Sequence, residues 1–513
     1  MKRIRGAVLI FLSLFTAELY SQNQIEYRSD FGYVYPESPD EIVLTRNVVF
    51  THKGMVMYCD SAVYNQKENY FFAYYNIHMY QDDTVHLTGD MLQYFGNDKT
   101  GMLSGNNNKV TLEDGDITMQ TDYLLLDRND NTVRYLSGAD IWDKENTLTS
   151  KTGIYFIDDK YFNFVNQVEM TSKDGNMLTD TLFYYTKTKE AEFFGPTTIL
   201  DNDSTKIEAL QGKYNSKTEE FSSYSSANIY TKDKYMKADT VYYHKKDKNG
   251  YAYGQVYVQD TVNDMYLNCD SVVLQTVDTV SSAFITGRLT IRQVDGKDTL
   301  YFHSDTVNVI MDTSFDVKRI YAYKHCKFYR EDMQGACEHA VYDRSDSSLT
   351  MTLRPVLWAE QAQLTSDTII MYTDEKEVKT LYMQPNTFIV QNSDTNTEEF
   401  FNQVSGGNLI GYFNKNKLYY AEIYGNTKSI YFLWDENKKS KIKKLTGVNI
   451  GTSKNLHLYF KRGKLTKMSA IKDPEFFMDS YQNTDENERR LKGFIYSESD
   501  RPVTPYDIYV HRK

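Results

Sequence analysis

The sequence predicts an all-β chain, built as an extended, twisted, open β-jellyroll or solenoid-like stack of short antiparallel strands. Three observations carry this expectation. A six-residue phrase returns roughly every 30 residues. Residues that favour strands dominate long tracts, with 44 Tyr and 27 Phe against only 8 Pro among 513 residues. Turn chemistry punctuates these tracts, as at Asp114-Gly115, Asp174-Gly175, Lys248-Asn249-Gly250 and Asp295-Gly296.

The first element is not part of the fold. Lys2, Arg3 and Arg5 precede an uncharged apolar run from Gly6 to Phe15, the layout of a secretory signal peptide, assigned to 1–21. The run is too short for a spanning helix, which needs about 20 residues. No Cys follows it to take a lipid anchor, so the expected mature protein is soluble and periplasmic. A lead-in occupies 22–47.

The repeats occupy 48–395. The phrase is a small residue, Asp, a small or polar residue, an apolar residue, any residue and usually an aromatic. It reads Cys59-Asp60-Ser61-Ala62-Val63-Tyr64, then Gly89-Asp90-Met91-Leu92-Gln93-Tyr94, and returns at Thr121, Thr179, Ala238, Cys269, Ser304, Cys337 and Ser366. A second, alternating segment starts near Gly or Asn, as in Asn76-Ile77-His78-Met79-Tyr80 and Arg288-Leu289-Thr290-Ile291. The period of two puts Ala62, Leu92, Leu124, Leu182, Val241, Val272, Val307, Ala340 and Ile369 at one position of successive units. These nine residues should form a continuous apolar column, either ordinary core or the lining of a groove. The repeated Asp reads as a turn cap beside a strand's start rather than as a row of catalytic or calcium-binding carboxylates, because each unit supplies one acid without Gly-Asp-rich turns.

A C-terminal β segment at 396–473 continues the stack with new phrases, among them Leu418 to Asn426. The tail, 474–513, loses the pattern, with a short helix expected over Glu486 to Leu491.

Charge and cysteine usage exclude several functions. A net charge of −12 argues against nucleic acid, since phosphate neutralisation needs clustered cations. The dense basic run, Lys438 to Lys444, reads first as a solvated loop. The four Cys form no CxxC pair, so no metal site is expected. Cys59, Cys269 and Cys337 occupy the small-residue position and read as packing residues. Cys326 and Cys337 are candidates for a disulfide between adjacent strands in an oxidising compartment.

The phrase, alternating with its Gly- or Asn-initiated partner, resembles the OstA-like family of the lipopolysaccharide transport system over about Val48 to Val390. The Gly425-Asn426 phrase looks like C-terminal segments of such proteins in Bacteroidetes. The resemblance implies a jellyroll open along one side, whose interior shields lipid A acyl chains, with the apolar column as its lining. It implies an LptA-like periplasmic bridge or assembly component that passes lipopolysaccharide toward the outer membrane. The implied partners are lipopolysaccharide itself, other transport components including an outer-membrane barrel of LptD type, and further copies of the chain joined end to end. No catalytic residue and no cofactor are implied. Two other classes compete: a structural or adhesive β-solenoid with a closed core and no lipid, and an enzyme on polysaccharide, whose acid pair should break the repeat at one place.

Overall fold

The computed structural model describes residues 24–81, 84–106, 108–296, 298–374, 377–394, 397, 399–436, 443–461 and 464–510. The signal peptide expected at 1–21 lies outside the described residues, as does the basic run apart from Lys443 and Lys444. Among the described residues are forty strands and four short 3-10 helices. The strands cluster into two compact units. The N-terminal unit runs to Lys232 and includes Thr240–Lys246; the C-terminal unit comprises Asp233–Asp239 and the chain from Asp247.

Within each unit, consecutive strands pair antiparallel as a continuous meander. What the sequence presents as two short strands is two arms of one long strand, bent in the middle. Cys59-to-Tyr64 lies within Met55–Asn65, and Asn76-to-Tyr80 within Tyr70–Gln81. The register between these two strands slips between Tyr58 and Ser61, where Tyr75 and Asn76 take φ of 64° and 49°. Such a two-residue bulge turns the strand through a corner and interrupts its alternation. Similar slips recur between Val165 and Val168, Thr286 and Leu289, and Tyr323 and Cys326.

The corner explains the phrase. Its Asp stands at the bend, not at a strand's start, and caps the corner of the adjoining strand. Asn76 donates to Asp60 at 2.7 Å, and Asn386 to Asp367 at 2.9 Å. Arg288 forks onto Asp270, and His325 meets Asp305 at 2.9 Å. Where the facing residue is Gly254 or Gly287, φ is +74° or +76°, and a Cβ would stand 2.4 Å from the carboxylate. The small residue preceding the Asp points inward where the two arms converge, so Cys59, Thr179, Cys269, Ser304 and Cys337 are all buried. Burial pushes the Cys59 and Cys269 thiols up to about 12, which leaves them unreactive near neutral pH.

The two arms of successive strands face each other across an apolar interior. In the N-terminal unit Phe50 from one arm stacks on Phe71 from the other, ring centroids 4.0 Å apart. Tyr64, Tyr94, Phe162, Phe164 and Phe193 are fully buried in the same unit.

Candidate functional site

The predicted column residues lie in cross-strand rows within each unit. Ala62, Ala73, Leu92, Leu103 and Leu124 are successive Cα partners. Phe164, Leu182, Phe193, Gly212, Ser223 and Val241 continue the pattern in the N-terminal unit. In the C-terminal unit the row runs Val272, Ile285, Val307, Ala322, Ala340, Met351 and Ile369. Eight of the nine predicted residues are buried, and Val272 is half-buried.

The interior differs along the chain. In the N-terminal unit it is filled by its own side chains as far as Phe193, beyond which Ile199, Ile207 and Ile229 are half-buried, and a polar ladder bridges the far ends of the two arms. Tyr155 donates to Asp114 at 2.6 Å, and Lys160 stands 2.5 Å from the same carboxylate. The pattern repeats 29 residues on: Tyr184 donates to Asp143 at 2.6 Å, and Lys189 lies 2.7 Å from it. The Asp143 side chain is 0% exposed. Burial works to raise its carboxyl, but Lys189, Tyr184 and the backbone N–H groups of Glu145 and Asn146 outweigh it and hold it below the usual carboxylate range. Burial and the nearby carboxylates push both tyrosines up, so they stay protonated and donate. Lys245 and Asp201, 2.9 Å apart, add another rung. These rungs tie the far ends of the two arms together.

The C-terminal unit is less completely filled. Over Met265–Asp312 the inward residues Leu267, Val272, Leu274, Ile291, Phe302 and Val309 are only half-buried. An apolar interior that its own side chains do not cover is the feature an apolar ligand needs.

The sequence missed a second feature, on the outer face of the same unit. Gln334, Trp358, Gln363, Val390, Gln403 and Ile430 are successive Cα partners and share that face. The three glutamines are at most 3% exposed. The tail beyond Asp479 runs back across this row as a strap. Gln403 accepts the Leu491 N–H at 2.8 Å and donates to the Arg489 carbonyl at 2.9 Å. Gln363 repeats the arrangement with the Ser497 N–H at 2.7 Å and the Ile495 carbonyl at 2.8 Å. Arg501 donates to Gln334, and the Tyr509 ring packs on His303. Phe494 and Tyr496 cover Phe388, Val390 and Phe401. The expected helix at Glu486 to Leu491 is one 3-10 turn, Glu486–Arg489. The only signal in the sequence was polar Gln at alternating strand positions, which reads equally well as a solvated face.

Cys326 and Cys337 are Cα partners on adjacent strands, both buried and both free thiols. The hydrogen bond between them, together with burial, pushes the Cys326 thiol up. Among the described residues no group of three or more His, Cys, Asp or Glu is placed to hold a metal ion.

Residues 25–180 match the family model described as OstA-like protein. No curated protein matches the chain. Among solved structures, one match is the crystal structure of LptH, described as the LptA homologous periplasmic component of the conserved lipopolysaccharide transport device from Pseudomonas aeruginosa. It is 11% identical and covers 30% of this chain and 97% of that chain, with a TM-score of 0.15.

Proposed function

With an OstA-like segment at residues 25–180 as the premise, we propose that the protein is a periplasmic component of lipopolysaccharide transport or assembly that shields lipid A acyl chains in its apolar interior. The observation that carries this reading is an apolar cross-strand row in each unit, beside which the inward side chains of Met265–Asp312 are only half-buried. Lipid contact is assigned to Leu267, Ile291 and Phe302 in preference to Leu124, because the latter is already packed by its own unit. No step of this role is chemical; the protein holds and passes its cargo.

The proposed partners are an outer-membrane barrel of LptD type and a second copy of the chain. The first strands support self-association. Phe31–Tyr35 pairs on one side only among the described residues, and it exposes Phe31, Tyr33, Val34 and Tyr35 by 45–57%. An uncovered strand edge of that composition invites strand addition.

A second reading has its own support. The filled interior and the bridged arm ends of the N-terminal unit suit a closed structural solenoid. One experiment separates the two: a photo-crosslinking residue at Ile291 or Phe302, with Leu124 as the contrast, followed by mass spectrometry of lipid retained by the mature protein. Lipid A captured at Ile291 and Phe302 and not at Leu124 is the expected result. Protein free of lipid, with no capture at any of the three sites, overturns the carrier reading in favour of the closed solenoid.

A further inference from the structure

Where the strap passes the corner at Gly406 and Gly407 it leaves a cavity of about 1110 Å³, bounded by Glu488 and Arg490–Gly493 on one side and by Gly406, Gly407, Gly425 and Asn426 on the other. Most earlier corners carry an acid at the bend, Glu338 in one case, whereas Lys151 and Leu210 hold that position in two others. By position, Gly406-Gly407-Asn408-Leu409 repeats Ser366-Asp367-Thr368-Ile369, and Leu409 is buried in the same row as Ile369 through Met383. Gly407 therefore stands where most earlier corners carry their acid. The facing residues, Gly425 and Asn426, keep the positive φ of a capped corner, at 89° and 52°. The corner is built as before, and its carboxylate is missing.

Cations gather at that place. Lys428, Arg490 and Lys492 line the cavity, with Glu488 as the opposing charge. None of the three cations has a carboxylate partner among the described residues, although the chain as a whole is acidic. The Arg490 guanidinium is held over the Phe494 ring at 4.9 Å. The next corner has the inverse solution: Lys454 stands in the Asp position and meets Asp473 at 2.7 Å. Away from the cations, the cavity wall is apolar, formed by Phe388, Ile450, Leu491 and Phe477, and Phe477 is 58% exposed.

We propose that this cavity binds an amphiphile through its anionic head, a phosphate or carboxylate that takes the place of the absent corner Asp. Its apolar chain lies along Ile450 and Phe477. Charge-assisted hydrogen bonds from Lys428 and Arg490 hold the head, and burial of Phe477 favours a chain over a free anion. The site is on the outer face, distinct from the interior. It rests on the lipid-handling reading only for the nature of the chain.

The test uses the full mature protein and three probes: dodecyl phosphate below its micelle concentration, dodecyl maltoside as the neutral head, and inorganic phosphate. Each is titrated calorimetrically against the native chain and a Lys428→Ala/Arg490→Ala variant, with hydrogen exchange of the strap confirming that the variant remains docked. Dodecyl phosphate is expected to bind more tightly than either other probe and to weaken about tenfold or more in the variant. Inorganic phosphate binding as tightly as dodecyl phosphate overturns the amphiphile in favour of a plain anion site. Dodecyl phosphate binding that the variant leaves unchanged overturns the site. A native chain that retains lipid at Phe302 yet ignores dodecyl phosphate overturns this inference and leaves the carrier reading intact; loss of both overturns both.

Discussion

At the scale of single residues, each recurring side chain answers a local electrostatic or steric demand. The corner Asp satisfies the strand that bends beside it, the small residue before it fits where two arms converge, and Asp143 ties those arms together at their far ends. The last is the most exposed to failure, because its carboxylate is wholly desolvated. Lys189→Met leaves that charge facing only Tyr184 and the backbone N–H groups of Glu145 and Asn146, which should cost about 3–5 kcal/mol and accelerate amide exchange in Tyr161–Ser172. The pH dependence has a definite sign. In the native protein the Asp143 carboxyl titrates below its ordinary 3.8, so its contribution is present above that value and is lost as pH falls through the lower folded value. Without Lys189 the largest of the groups opposing burial is gone and the folded value rises. The variant's deficit is then largest near neutral pH and narrows on acidification; a deficit that does not change with pH would show that Lys189 acts by packing alone.

At the scale of elements, the strap shows how a face that alternation marks as outward becomes buried. Gln363 and Gln403 each hold two main-chain groups of the tail, the same pairing a neighbouring strand would offer. Replacing both with Leu keeps the volume and removes four hydrogen bonds, and each buried group left unsatisfied costs about 1–3 kcal/mol. Amides from Arg489 to Arg501 should then exchange at least about tenfold faster, while Met333–Asp343 keeps its protection. Unchanged exchange in the tail would mean that Phe494, Tyr496 and Arg501 suffice to hold it. The long bent strands teach a related point. A bulge of two residues resets the alternation, so one strand of twelve residues, Tyr70–Gln81, reads in sequence as two short ones.

At the scale of the whole molecule, the strand edge at Phe31–Tyr35 is where one copy would meet another. Val34→Lys places a charge on that edge and leaves its hydrogen-bonding groups in place. If copies join there, sedimentation at rising concentration should show association in the native chain and its loss in the variant; association unaffected by the charge would move the contact elsewhere.

The sequence by itself determined the fold class, the repeat length and the membership of the apolar row, because all three follow from local periodicity. Side-chain alternation, the small-residue position and the turn chemistry are properties of a few adjacent residues, and they are legible at Ala62 or Leu182 without knowledge of neighbours. The structure decided what depends on partners distant in the chain. It placed Asp114 beside Tyr155 and Lys160, more than forty residues away, and Gln363 under a strap 132 residues further on. It also decided which part of the row is packed and which is half open, because burial depends on what the opposite arm brings to the interior.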